Sequence, residues 1–329
     1  MLSHRFLSKI LFFVFFGLIL FFAGSFLKKH SRTISSLPQL SGKVSLINTE
    51  TAAYYNSLNN KYDPELGWVL AKKDIQYGDD MVVAEAALLF NADTGEILYQ
   101  KNSSAKLRIA SLVKIMTAVV ALEHGNLNKE ITVSDKAASI GENSMGISSG
   151  EIYSLEELLY GLLLNSGNDA AYAIAEGIAG DSQEFVKWMN IKAKELGLSN
   201  TFFADPSGLD DTTLSTTDDL GRLSRYAMKN PDFRRIVKTT DIILTSDSHK
   251  YLYLENQTNL LTTYPGVQGI KTGFTEEAGL CLVTYAVNEG KELIGVVLNS
   301  IDRKGDMILM LDHGFSQYGI HVEHNLLDY

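Results

Sequence analysis

The order of apolar patterns along the chain constrains its fold most. "AEAALLF" (residues 84–90) and "EILYQ" (96–100) are short apolar segments split by "NADTG", which reads as a β-hairpin with a five-residue loop. Far along the chain, "GLCLVTYA" and "ELIGVVL" flank "VNEGK" and form a second strand pair. Between these pairs the patterns are helical. Ser154 is followed three residues on by Glu157, a capping box. "SQEFVKWMNIKAKELGL" places Phe185, Trp188, Met189, Ile191 and Leu196 at helical spacing. "TTDDLGRLSRYAMKNP" opens on acids and stops at Asn230-Pro231. A closing helix from about Arg303 to Tyr318 carries Met307, Leu309, Leu311 and Phe315. Strands at both ends with helices between them predict an α+β domain. Its terminal segments share an antiparallel sheet flanked by helices, with a helix-rich subdomain packed over it.

The 329 residues, 45% of them hydrophobic, supply enough material for a large core. The first 32 residues stand apart. Ile10 to Leu27 is uncharged and almost wholly apolar over 18 residues, close to the roughly 20 that a bilayer-crossing helix needs. This is read as a membrane anchor, with a cleaved export signal as the competing reading, since Ala23-Gly24-Ser25 offers a small-residue cleavage site. Residues 33–80 read as a linker or stalk. Beyond residue 32 the chain holds 24 Lys/Arg against 39 Asp/Glu. An exported domain with that acidic balance is not a nucleic-acid binder. Cys281 is the sole cysteine, so no intrachain disulfide forms, and its strand-like surroundings suit a small buried side chain. The seven histidines show no metal-ligating spacing, and no cofactor is implied.

The run from Ile109 to Leu122 poses a chemical question. It is nearly all apolar, yet it contains Ser111 and Lys114. Burying an ammonium is expensive, because the charge loses its water. On a helix starting near Ser111, a spacing of three brings both side chains to one face. Desolvation lowers a lysine's pKa, and a neutral lysine can take the proton of a serine hydroxyl, itself a weak nucleophile. A helix cap beside a snorkelling lysine would account for the same four residues. Two further segments add weight. Ser166-Gly167-Asn168 interrupts two apolar helical stretches, and Lys271-Thr272-Gly273 lies on a strand leading into the C-terminal hairpin. Each has a plainer reading, the first as an interhelix turn and the second as an edge strand with a protective lysine.

Ser-x-x-Lys, Ser-x-Asn and Lys-Thr-Gly in that order, 55 and then 105 residues apart, form the signature of penicillin-binding proteins and serine β-lactamases. From about Met81 to Phe315 the chain resembles the D-alanyl-D-alanine carboxypeptidases of peptidase family S11, low-molecular-weight penicillin-binding proteins. "ASLVKIMTA", "LLLNSGNDAA", "DPSGLD" and "GVQGIKTGFTEEAGLCLV" carry the likeness. The resemblance implies a bacterial, extracytoplasmic enzyme acting on peptidoglycan stem peptides ending in D-Ala-D-Ala, and covalently inhibited by β-lactams. It implies a catalytic domain over 81–322 and a tail over 323–329. Carried over, Ser111 is the acylated nucleophile and Lys114 its general base. Ser166, helped by Lys271, relays a proton to the leaving D-alanine. Asn168 holds the substrate amide, and Thr272 of the Lys271-Thr272-Gly273 element binds the terminal carboxylate. The N–H groups of Ser111 and Phe274 form the oxyanion hole, and Arg303 helps to hold the carboxylate.

The chain also departs from relatives. "GLDDTTLSTTDDL" lacks the histidine that many of them carry there, so no role is assigned to it. A C-terminal β-rich domain and amphipathic anchor helix are not expected after the catalytic domain, which leaves residues 10–27 as the expected tether to the cell membrane. A β-lactamase is the nearest rival, but no E-x-x-L-N pattern stands between Asn168 and Lys271; "ELGLSN" comes nearest and has the wrong spacing. A D,D-endopeptidase, which is chemically close, and a non-catalytic cell-wall binding protein with a retired site also compete.

Overall fold

The computed structural model describes residue 70 and residues 81–326. The chain divides into two units, 1–59 and 60–329, and every described residue belongs to the second. The expected membrane segment at 10–27 and the expected linker, apart from Leu70, lie outside the described residues. Leu70 is buried with the core residues. Among the described residues no helix is long and apolar enough to cross a membrane.

In chain order the strands are β1 (Ala86–Asn91), β2 (Ile97–Lys101), β3 (Leu107–Arg108), β4 (Glu130–Thr132), β5 (Ile152–Ser154), β6 (Leu214–Ser215), β7 (Asp241–Ser246), β8 (His249–Glu255), β9 (Val267–Thr275), β10 (Gly279–Asn288) and β11 (Lys291–Ser300). The helices are α1 (Val113–His124), α2 (Asp135–Ala138), α3 (Leu155–Leu163), α4 (Asn168–Ala179), α5 (Ser182–Glu195), α6 (Thr217–Lys229), α7 (Pro231–Lys238), α8 (Leu260–Thr263) and α9 (Arg303–Ser316).

The main sheet has the order β2-β1-β11-β10-β9, antiparallel throughout. The two ends of the domain therefore meet where β1 pairs with β11, as the strand pattern predicts. Alternation along β1 explains why that strand is apolar at nearly every position. Leu88 and Phe90 face the helical lobe, while Ala87 and Leu89 face the side covered by α9. A strand buried on both faces reads as a continuous apolar run. The first hairpin keeps its five-residue loop, one residue further along than the pattern places it. The second is tighter than expected. β10 and β11 run on until only Glu289 and Gly290 remain, both at positive φ, as a two-residue hairpin turn demands.

Helices α1 and α3 to α7 form the lobe above the sheet. The capping box is present: Ser154 Oγ accepts from Glu157 N at 3.2 Å, and Glu157 Oε2 accepts from Ser154 N at 2.8 Å. Asn230-Pro231 does stop α6, but the proline also opens α7 at once, with Asn230 capping it. The β7–β8 hairpin does not show as a strand pair in the sequence. Its outward positions Ile243, Tyr251 and Tyr253 are exposed, so the inside–outside alternation that marks a half-buried strand is blurred.

Replacing Ser154 with alanine removes the cap of α3 and is expected to cost about 1 kcal/mol in urea unfolding, with an unchanged denaturant slope.

Candidate active site

The chain leaves β3, makes a 3-10 turn over Ala110–Leu112, and enters α1. Residues Val113 to Ala121 of α1 are all buried, as a helix apolar on every side must be. Lys114 sits in its first turn with no exposed surface. Its three ammonium protons meet three acceptors: Ser111 Oγ at 2.8 Å, Asn168 Oδ1 at 2.8 Å and the Ser207 carbonyl at 2.7 Å. Burial pushes the Lys114 pKa down to about 7, against the pull of the Asp205, Asp169 and Glu142 carboxylates. Snorkelling is thereby ruled out, since the Nζ is sealed inside the protein.

Ser166 and Asn168 reach the same place from the break between α3 and α4. Ser166 takes a left-handed conformation at φ 59°, uncommon for a residue with a Cβ. Its side chain is buried and, among the described residues, its hydroxyl has no hydrogen-bond partner. Asn168 opens α4, directing its Oδ1 to Lys114 and its Nδ2 to the Gly141 carbonyl at 3.1 Å.

The third wall is β9, the edge of the sheet. Lys271 is an edge-strand lysine, but it is buried rather than protective. Its Nζ donates to the Thr272 carbonyl at 3.0 Å. Burial, together with the nearby Lys114 and Arg303 charges, holds its pKa well below the ordinary lysine value. Gly273 permits the strand to lie against the serine turn: a Cβ there would stand 3.0 Å from Ile109 O and 3.2 Å from Ser111 N. Phe274, next along the strand, is exposed. Arg303, the first residue of α9, passes beneath this strand. Its Nη1 donates to the carbonyls of Gly273 at 2.8 Å and Cys281 at 3.3 Å. Cys281 is buried, and burial pushes its thiol up to about 11, consistent with a packing role. The structure thus brings Ser111, Lys114 and Asn168 into contact, sets the Lys271–Phe274 strand against the serine turn at Gly273, places Ser166 two residues before Asn168, and ties Arg303 to the Gly273 carbonyl.

Sequence reasoning missed the contribution of "DPSGLD". The Asp205 carboxylate folds this loop by accepting from Ser207 Oγ at 2.8 Å and Gly208 N at 2.6 Å. That turns the Ser207 carbonyl onto Lys114. Gly208 is required twice over. It holds φ 86°, and a Cβ would stand 2.1 Å from Ala110 O, in the serine turn itself. A backbone carbonyl leaves no residue-type signal, and the turn-forming Asp, Pro, Ser and Gly of the loop were the only cue.

An antiparallel sheet, a helical lobe and a Ser-x-x-Lys turn between them define the fold of the D,D-peptidases and penicillin-binding proteins. Residues 73–302 match the model of the Peptidase_S11 family, D-alanyl-D-alanine carboxypeptidase, and the chain belongs to that family of hydrolases. It is 38% identical to D-alanyl-D-alanine carboxypeptidase DacF of Bacillus subtilis, over 72% of this chain and 64% of that protein. The match to a D-alanyl-D-alanine carboxypeptidase of a Streptomyces species is 35% identical over 71% of this chain and 88% of that one. Among solved structures, the Streptomyces K15 DD-transpeptidase superposes with a TM-score of 0.68 at 32% identity, over 71% of this chain and 98% of that one.

Gly208→Ala is expected to destabilise the domain by more than about 2 kcal/mol and to displace the serine turn. Thermal unfolding followed by circular dichroism checks the first effect, and penicillin labelling of the folded fraction the second.

Proposed function

We propose that this chain is a serine-type D-Ala-D-Ala carboxypeptidase that removes the terminal D-alanine from peptidoglycan stem peptides through an ester on Ser111. The observation that carries this reading is the fully buried Lys114 with its Nζ 2.8 Å from Ser111 Oγ. In that position the lysine takes the hydroxyl proton as Ser111 Oγ attacks the carbonyl carbon of the penultimate D-alanine. The tetrahedral oxyanion receives the N–H groups of Ser111 and Phe274, donors fixed where negative charge develops. Ser166, buried with an unengaged hydroxyl, passes a proton to the departing nitrogen, beside Lys271. Water then cleaves the ester and restores Ser111.

Asn168 holds the amide of the substrate backbone. Thr272 and the charge of Arg303 hold the free carboxylate of the terminal D-alanine, with Gly273 admitting the strand close enough for both groups. β-Lactams acylate the same serine. The enzyme works outside the cytoplasmic membrane, tethered by residues 10–27 or released if that segment is cleaved.

The decisive test is release of D-alanine from a synthetic peptide ending in D-Ala-D-Ala, beside a cross-linked dimer peptide. Wild type is expected to release D-alanine, and Ser111→Ala to release none and to take no fluorescent penicillin. Cleavage of the cross-linked peptide alone would make the protein an endopeptidase, and failure of both would make it a binding protein. The pH dependence has a definite sign. The neutral lysine is the active form, and the Lys114 pKa lies at about 7. The second-order rate of penicillin acylation should therefore fall about tenfold per pH unit below that value and level off above it.

A further inference from the structure

Next to Asn168 in α4 stands Asp169, a carboxylate with 1% exposure that the proposed chemistry does not use. Among the described residues it makes no ion pair within salt-bridge distance. Instead it gathers a surface segment around itself. Its Oδ2 accepts from Ser144 Oγ at 2.6 Å, Gly146 N at 2.8 Å and Ile147 N at 3.1 Å, and its Oδ1 accepts from Met145 N at 2.8 Å. Three consecutive N–H groups converging on one anion form a backbone nest, here filled by the protein's own side chain. Apart from Met145 and Ile147, residues 141–150 are exposed, so this carboxylate is the main inward tie of the segment.

The segment repays the contact at the cleft. The Gly141 carbonyl accepts from Asn168 Nδ2 at 3.1 Å, Asn143 O from Asn168 N at 2.8 Å, and Ser144 O from Asn165 Nδ2 at 2.6 Å. The Gly141 contact decides which way the Asn168 amide faces. A carbonyl binds only the NH2 end, so the oxygen must face Lys114. Without that carbonyl the lysine alone orients the amide, and once Lys114 is neutral its lone pair can draw the NH2 end round in place of the oxygen.

We propose that Asp169 is a positioning residue: by pinning residues 141–147 it fixes the orientation of Asn168, and through Asn168 it sets Lys114 for proton transfer from Ser111. The proposal rests on the acyl-transfer reading above.

The charged groups facing Lys114 are Asp205 from the "DPSGLD" loop, Asp169 from α4, Glu142 from the pinned segment and Lys271 from β9. Asp169→Asn removes one carboxylate from this set. It also places an NH2 group among N–H donors, so the segment loosens and Glu142 moves with it. Both changes remove negative charge from around the lysine and favour its neutral form.

The test is the second-order rate of acylation by a fluorescent penicillin, measured from pH 5 to 9 on the full chain, with the thermal midpoint of each variant. Asp169→Asn is expected to slow acylation at the plateau by about tenfold or more, and to move the acidic limb to lower pH. Ser144→Ala keeps the charge and removes one donor, and is expected to slow acylation by about two- to fivefold. Unchanged rate and limb in Asp169→Asn overturn the proposal. So does a uniform loss with an unmoved limb and a lowered midpoint, which would mark Asp169 as purely structural. If Asp169→Asn does not fold, Ser144→Ala decides: wild-type rates throughout overturn the proposal, and slowed acylation with an intact midpoint supports it. A wild type that takes no penicillin at any pH overturns the acyl-transfer reading, and this role with it.

Discussion

The structure is organised around one costly act, the burial of the Lys114 ammonium. A charge taken out of water is tolerated only where its donors are met, and here three acceptors come from three separate parts of the chain. Ser111 lies one turn earlier, Asn168 at the start of α4, and Ser207 in the loop after α5. Each of these has its own support. Ser111 needs the 3-10 turn and the close approach of Gly208 and Gly273. Asn168 needs the break after α3. Ser207 needs the Asp205 carboxylate that folds its loop. Remove any one, and the lysine is left with an unpaired donor in a dry interior, at a cost of about 1–3 kcal/mol or more.

This convergence joins stability to chemistry. The interior that makes the lysine expensive also brings its pKa to about 7, where it can accept a proton. Lys271 shows the same logic more strongly, since it is buried close to two other cations. The sheet edge supplies the strand β9, and the helical lobe supplies Lys114 and Asn168 near it. The cleft lies between them because neither layer alone carries every group. The solved Streptomyces K15 DD-transpeptidase superposes on this fold with a TM-score of 0.68 over 71% of the chain.

Much of this was legible in the residues. The strand pairs, the capping box and the closing helix followed from period and turn chemistry, because those signals are local. The three motifs were legible as motifs, and the structure brings them together where Lys114 bonds Ser111 and Asn168 and Gly273 lies against the serine turn. What escaped was of a different kind. The β10–β11 turn is shorter than its polar residues suggest, because the two strands go on pairing with each other as far as Asn288 and Lys291. The β7–β8 hairpin hid behind exposed apolar side chains. The supporting carbonyls of Ser207 and Gly141 have no residue-type signature at all.

The sequence by itself determined the fold class, the order of the layers and the three motifs from which the proposed reactive side chains come. Each of these depends on side-chain chemistry repeated or placed within a short span. Only the tertiary structure decided that Lys114 is sealed rather than snorkelling, that Lys271 is buried on an edge strand, and that the Asp169 carboxylate holds the 144–147 loop. The first of these depends on groups that approach Lys114 from 54 and 93 residues away, and the others likewise on segments beyond the local one. Burial, and with it the pKa and the set of satisfied donors, is a property of the packed assembly and not of any segment within it.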